Sequence, residues 1–368
     1  MRLSGDRLFA LIVLTLVVSG IAMFASAALG LLARADGAPW RLAITQLVLG
    51  LIPGIALLIG LRFAPPKLLL KGIVPLYVGS VILTALVFTP LGLTTNGATR
   101  WLDFGFVTVQ PAEFLKIGVI LMLAAYLANM KAKLHEFRYG LIPFGIIVGV
   151  PSLLLLAQPN TSTVLILGAT SVALYFLAGA RLRDFVIIGI IGLIGISVLI
   201  ATRPYLMNRV QTFIDPSQNS LTSGYQIQQS LIAIGSGGVL GRGYGQSVQK
   251  FNYLPEPVGD SVFAVFGEEF GFFGTVLLVL LFTAFATRGL MIAAEAANTF
   301  GALAAAGLTL LITFSAFLNI GAMLGIMPLT GLPLPFVSHG GTALLCALAS
   351  VGIILNVAAH RTKRRRTA

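Results

Sequence analysis

The chain is predicted to be an all-α polytopic membrane protein of about ten transmembrane helices, with one long extracytoplasmic loop between spans seven and eight. Three observations predict it. Only 10% of the residues are charged and 57% are hydrophobic, with mean hydropathy +0.97, whereas a soluble globule carries about a quarter charged residues. Apolar stretches of about 20 residues, the length that crosses a ~30 Å hydrocarbon core, recur ten times, at roughly 8–32, 42–61, 72–93, 111–129, 140–157, 161–180, 185–202, 261–287, 298–326 and 341–359. The basic residues of the short loops segregate to alternate connections, as they do in polytopic proteins.

The first stretch imitates a secretory signal, with Arg2 and Arg7 ahead of an apolar run and Ala25-Ser26-Ala27 as a cleavage-like site. It continues from Leu8 to Leu32, too long for a signal core and long enough to span, so it is the first helix. An even number of spans puts both termini on one side. If that side is the cytoplasm, its short segments hold Arg2, Arg7, Arg62, Lys67, Lys71, Lys131, Lys133, Arg138, Arg181, Arg183, Arg288 and the five basic residues from Arg361 to Arg366. The short outer loops hold only Arg34, Arg41 and Arg100. The asymmetry predicts cytoplasmic termini. The net charge of +12 does not point to nucleic acid, because the basic tail directly follows an apolar run and reads as an anchor against anionic membrane lipid. The sole cysteine, Cys346, lies in an apolar stretch and reads as core packing.

The whole chain, 1–368, reads as one integral membrane domain, with residues 203–260 as its single long loop. A connection of that length between packed spans tends to be functional. Ser230-Leu231-Ile232-Ala233-Ile234 is too short to cross the membrane and ends in Gly235-Ser236-Gly237-Gly238, which suggests a re-entrant or interfacial element. Gly241-Arg242-Gly243-Tyr244-Gly245 has the glycine density of a dinucleotide loop but no βαβ context. A turn presenting Arg242 and backbone N–H groups to an anion fits better.

Charged groups in the spans mark candidate sites, since an unpaired charge in hydrocarbon is costly. Glu113 and Lys116, three residues apart, share a helix face behind Gln110-Pro111. They either pair with each other or leave Lys116 to contact a substrate phosphate. Arg100, in Arg100-Trp101-Leu102-Asp103, either pairs with Asp103 or binds a headgroup. The stretch Pro328 to Gly341 holds three prolines and three glycines, which forbids regular helix and predicts a cavity wall. His339 reads as a wall residue, and no second His or Cys stands near it for a zinc site.

Asp260 is the most informative residue. It sits where the polar run from Tyr253 meets the apolar stretch from Ser261, and helical steps from it pass Ala264, Gly267 or Glu268, and Gly271. Small residues leave room beside the acids, so a helix-capping acid is the simpler role and an acid–base site the stronger one. Of Glu268 and Glu269, one is expected to pair with a buried base such as Lys116 and the other to face another span.

These residues resemble the SEDS family (shape, elongation, division and sporulation), represented by FtsW and RodA, over nearly the whole chain. The motifs are Arg100-Trp101-Leu102-Asp103, Gln110-Pro111-Ala112-Glu113 with Lys116, Gln158-Pro159, Phe176-Leu177-Ala178-Gly179, Gly224-Tyr225-Gln226, Gln249-Lys250, Tyr253-Leu254-Pro255-Glu256, Asp260, Phe263-Ala264, Glu268-Glu269 and Pro333-Leu334-Pro335-Phe336 with Ser338, Gly340 and Gly341. The resemblance implies a peptidoglycan glycosyltransferase that polymerises lipid II, the undecaprenyl-diphosphate-linked disaccharide peptide, on the outer face of the bacterial cytoplasmic membrane. The acid matching Asp260 is the one regarded as essential in the family, and it would serve as general base in an inverting transfer. Arg203, Arg209, Arg242, Lys250 or a divalent cation (Mg or Mn) would stabilise the departing diphosphate. Arg100, Lys116, Glu256 and Ser338 are placed with the substrate-binding residues, and Glu113, Glu268, Glu269, Gly340 and Gly341 with those shaping the cavity. The implied partner is a class B penicillin-binding protein transpeptidase.

Two departures from the family pattern stand out. Many members read His-Thr-Asp-Phe-Ile-Phe where this chain has Val258-Gly259-Asp260-Ser261-Val262-Phe263, and many have Asp after Gln-Pro where this one has Asn160. The run Gln246 to Lys250 is more similar to the division member FtsW than to the elongation member RodA. The rival functions are a flippase for lipid-linked oligosaccharides and a non-catalytic division scaffold. A transporter would hold its essential charges near the midplane within repeated halves, whereas here the principal acid lies at a rim.

Overall fold

The computed structural model describes residues 6–30, 39–95, 97–105, 107–215 and 223–361. Arg2, Arg34 and the tail residues Lys363, Arg364, Arg365 and Arg366, used in the charge argument, lie outside the described residues.

Apolar helices stand at all ten predicted positions. They are α1 (Arg7–Leu29), a second span made of α2 (Pro39–Ile44), a π-helical stretch Thr45–Leu51 and α3 (Ile52–Phe63), then α4 (Pro66–Leu86), α5 (Pro111–Asn129), α6 (Leu141–Ala157), α7 (Thr161–Leu177), α8 (Leu182–Thr202), α11 (Val262–Ala294), α12 (Thr299–Met323) and α13 (Gly341–Ala359). Eight are long and apolar enough to cross a membrane, and α6 and α7 are shorter apolar helices of 17 residues. At 1.5 Å per residue those two are ~25 Å long, slightly less than the hydrocarbon thickness.

Three expectations need correction. The connection after α4 is not loop throughout: it holds a small antiparallel sheet, β1 (Gly92–Thr95), β2 (Ala98–Asp103) and β3 (Thr108–Val109), in the order β1-β2-β3. Inside the long loop, α9 (Pro204–Ile214) and α10 (Ser223–Ser236) form, and the supposed short re-entrant element 230–234 is the second half of α10. Finally, α11 runs on to Ala294 rather than ending near 287.

Asp6 caps α1 by accepting the Phe9 N–H at 3.0 Å. Its carboxylate also takes Arg288 at 2.7 Å and Arg361 at 2.6 Å, and Arg361 reaches Glu295 at 2.9 Å. The start of α1 and the ends of α11 and α13 therefore meet, so both ends of the described chain lie at one end of the bundle. Helices α5, α12 and α13 make the core, where small residues such as Gly307, packed against Ile120 and Leu174, let backbones approach closely. Helix α8 stands at the edge with only Asp184 buried. An apolar cavity of about 560 Å³ among α3, α4, α5 and α13, lined by Leu61, Lys71, Phe114 and the buried Cys346, shares no residue with the site described below.

One break in the helical pattern matters for function. Gly271, inside α11, takes φ +64°, and a Cβ there would overlap the Gly241 nitrogen. The carbonyls of Glu268 and Glu269, which would bond Phe272 and Phe273 in a regular helix, instead accept the N–H groups of Arg242 and Gly243, each at 3.0 Å. Phe272 and Phe273 in turn donate to the Gly238 and Val239 carbonyls at 2.9 and 3.2 Å. The loop thus threads into an opened helical turn and satisfies these four backbone groups that the opening frees.

Candidate active site

The turn from Glu256 to Ser261 delivers Asp260 to the head of α11. Leu254 and Val258 are buried and pin the segment. Glu256 adopts φ +46°, in the sparse left-handed region, and its carbonyl accepts the N–H groups of Gly259 at 3.0 Å and Ser261 at 3.2 Å. The irregular stretch before α13 supplies the opposite wall, as predicted. Asn319 of α12 ties the two together: its Nδ2 donates to the Asp260 carbonyl at 2.8 Å and to the Leu332 carbonyl at 2.7 Å.

The two oxygens of Asp260 differ. Oδ1 accepts from Gln226 Nε2 at 3.1 Å and Ser261 Oγ at 3.4 Å. Oδ2 faces Gly331, lying 3.8 Å from where a Cβ on that residue would be, with Arg209 Nη2 3.9 Å from the same point. Gly331 has φ +64°, so glycine serves both the turn and the open space. Burial pushes the Asp260 carboxyl up to about 6, against the hydrogen bonds from Gln226 and Ser261, and the like charge of Glu256 adds to the rise. A carboxyl so poised is mostly ionised at neutral pH and half-ionised only near 6, which suits it to accept a proton.

Beside it lies a cationic pair. Arg209 is on α9, held by Ser162 Oγ at 3.4 Å and set 5.9 Å from the Tyr205 ring centroid. Ser162 in turn donates to the Thr330 carbonyl at 2.6 Å. Arg100, on β2, bonds the carbonyls of Gln158 and Pro159. Burial lowers the proton affinity of both guanidiniums; Arg209 lowers that of Arg100 further, while Tyr205 and Asp260 act in the opposite sense on Arg209. Among the described residues neither takes part in an ion pair within 4 Å, so the pair offers positive charge to an anion.

The other predicted residues lie elsewhere or do other work. Lys250 is committed within the protein: its side chain is fully buried, and its three N–H groups go to Glu269 at 2.7 Å, the Gly245 carbonyl at 2.8 Å and Ser26 at 2.9 Å. Arg242 is exposed and turns its Nε toward Glu268 at 3.5 Å, so the anion its turn meets is the protein's own. Glu268 accepts Ser247 Oγ at 2.6 Å and the N–H groups of Val248 and Gln249 at 3.0 and 3.1 Å. Glu268 and Glu269 therefore anchor the loop and do not pair with Lys116. Ser338 is buried with its hydroxyl accepting the Leu334 N–H at 2.8 Å, a support for the irregular stretch. Gly340 donates to Gln46 at 2.9 Å, and Gly341 lies against the Thr45 carbonyl. Arg203 is exposed at the corner between α8 and α9. His339 is a wall residue, its ring 5.7 Å from that of Phe24.

Lys116 meets Glu113 at 2.9 Å, both buried, beside a cavity of about 40 Å³. Stranding either charge should cost about 3–5 kcal/mol. We therefore expect Lys116→Ala and Glu113→Ala each to lower the melting temperature, with a double-mutant cycle showing coupling; additive effects would free Lys116 for another role.

The sequence profile of the FtsW/RodA/SpoVE group, described as cell cycle proteins, matches residues 6–363. The chain belongs to this family. Stage V sporulation protein E of Bacillus subtilis (strain 168) is 40% identical over 76% of each chain. The probable peptidoglycan glycosyltransferase FtsW of Marinobacter nauticus is 36% identical over 96% of this chain and 89% of its own. Among solved structures, a chain from a study of how a peptidoglycan synthase complex coordinates polymerization and crosslinking has TM-score 0.81 at 27% identity, covering 98% of this chain and 100% of its own. The rod shape determining protein RodA of Thermus thermophilus has TM-score 0.71 at 27% identity, covering 98% and 99%. The SEDS resemblance and the multi-pass membrane fold are thereby established.

Sequence reasoning missed Gln226, Ser261, Asn319, Ser162 and Gln46 as parts of this architecture. Asn319 carried a signal, being an amide inside an apolar stretch, and Gln226 stood in a matched motif without an assigned role. Ser162 carried none.

Proposed function

We propose that this SEDS-family protein is a lipid II polymerase and that the end of the bundle carrying the long loop faces outward, with cytoplasmic termini. The observation that carries the reading is Oδ2 of Asp260, which takes no hydrogen bond from another described residue and lies opposite Arg209 across Gly331, with the charge of Arg100 next to Arg209. A sugar hydroxyl of one lipid-linked disaccharide attacks the anomeric carbon of another. Its proton passes to Asp260, the new glycosidic bond forms with inversion, and the bond to the polyprenyl diphosphate breaks with that group leaving as an anion. Arg209 and Arg100 supply the positive charge for it.

Among the described residues no three His, Cys, Asp or Glu gather to hold a metal ion. Mg²⁺ binding through one or two carboxylates and substrate phosphates needs no such cage. Mg or Mn carried on the diphosphate oxygens would add charge neutralisation there, with Asp260 left to accept the proton. The partner in this reading is a class B penicillin-binding protein, which would crosslink the strands as they emerge.

The test is purified protein with lipid II, with and without that partner, reading glycan strands on gels. A flippase would instead move lipid II across sealed vesicles and make no polymer, and a scaffold would do neither. Arg209→Ala is expected to slow turnover or raise KM about 10–100-fold, the worth of one or two charge-assisted hydrogen bonds. Wild-type kinetics in both Arg209→Ala and Arg100→Ala would remove the diphosphate role from this pair.

A further inference from the structure

Gln226 lies half-buried against the base on an element that touches nothing else in the reaction. Its amide uses both N–H groups at the site: one goes to Asp260 Oδ1 at 3.1 Å, the other to Ser261 Oγ at 2.9 Å, and Ser261 completes a ring by donating to the same Oδ1 at 3.4 Å. The amide orientation follows from chemistry, because an ionised carboxylate only accepts. Helix α10 holds the amide firmly. Ile227 and Ala233 are buried, Ser230 bonds the Gln226 carbonyl at 2.8 Å, and Ile234 rests on Gly267 of α11, where a Cβ would come within 3.0 Å of it. The two helices that carry the amide and the acid are thus packed through a glycine contact.

We propose that Gln226, with Ser261 as its relay, is a positioning residue that saturates Oδ1 of Asp260 and so commits Oδ2 to the proton transfer. This rests on the reading of Asp260 as the base. The ring turns the carboxylate plane so that Oδ2, which no other described residue hydrogen-bonds, faces the gap beside Gly331 and Arg209. It also stabilises the ionised form, because both donors favour the charged carboxylate. Among the described residues, the charged groups facing Asp260 are Glu256 from its own turn and Arg209 from α9, with Arg100 of β2 behind Arg209; α10, α12 and the stretch before α13 present Gln226, Asn319 and Gly331, none of which titrates.

The test uses Gln226→Met, which keeps length without donors, and Ser261→Ala. In Gln226→Met, kcat for lipid II should fall about 10–100-fold with KM within about twofold, and the midpoint of the kcat–pH profile should rise by about one unit. Ser261→Ala should move the midpoint the same way by less. A merely structural role would lower yield and melting temperature and leave the midpoint in place. An unmoved midpoint in both variants overturns the proposal, as does a rise in KM alone, which would make Gln226 a substrate contact. If Gln226→Met does not fold, the Ser261→Ala midpoint decides. Infrared titration of the Asp260 carboxyl, assigned against Asp260→Asn, reads the same shift without lipid II. If wild-type protein makes no glycan, the polymerase reading fails while this arm still decides the role of Gln226.

Discussion

Asp260→Asn is expected to reduce glycan polymerisation by about 10²–10⁴-fold, the worth of a general base, while leaving the protein as stable as wild type or more so. The second half follows from the direction of the shift. Burial raises the folded-state pKa from the ordinary 3.8 to about 6, so between these values the native state binds more protons than the unfolded chain. Stability therefore falls as pH rises through that window, and the cost of the ionised carboxylate is fully present above about 6. Asparagine keeps the shape and carries no charge, so the variant escapes that cost at neutral pH. The wild-type rate should fall as pH drops through about 6, because the protonated acid accepts nothing. Polymerisation assays across pH, with thermal melts of both proteins in detergent, check these statements together. Near-normal polymerisation by Asp260→Asn would sink the assignment, and a pH-independent variant with a lowered melting temperature would mark Asp260 as a structural cap.

How far the sequence exposes this site depends on the kind of residue. Spans are legible because hydrocarbon imposes a length and a composition, and all ten apolar helices lie where composition places them. Asp260 is legible because a carboxylate at a span's mouth has few inexpensive roles. Glu113 and Lys116 are legible because helical spacing alone sets them on one face. The small sheet after α4 escapes because its strands are short and packed on one another, leaving no span-length signal. The break at Gly271 escapes for a different reason: one glycine in an apolar run is ordinary, and only the loop from Gly238 to Gly243 gives it meaning. Counting charge on the long loop likewise says that cations are in excess. It does not say which cation finds an anion at home, so it groups Arg209 with Lys250 although the fold gives them opposite tasks.

That difference predicts the second large effect. Lys250→Met should destabilise the protein by about 3–5 kcal/mol, the cost of stranding one member of a buried ion pair, because Glu269 is fully buried and meets the Lys250 ammonium at 2.7 Å. The loss should spread beyond the pair. Ser26 of α1 accepts from Lys250 at 2.9 Å and donates to Glu269 at 2.6 Å, and the Ser247 N–H reaches the same carboxylate at 3.3 Å. Three segments therefore meet at this one pair: α1, the loop, and α11 beside its opened turn. Loosening it should free the loop from Gly238 to Lys250 to hydrogen exchange ahead of the rest of the fold. Adding Glu269→Leu should recover a good part of the stability, since an apolar pair of similar volume replaces a buried salt bridge at little cost. Folded Lys250→Met protein should keep its KM for lipid II, in contrast to Arg209→Ala. If instead Lys250→Met melts with the wild type and binds lipid II more weakly, the ammonium serves the diphosphate after all, and the buried pair forms only in the substrate-free state.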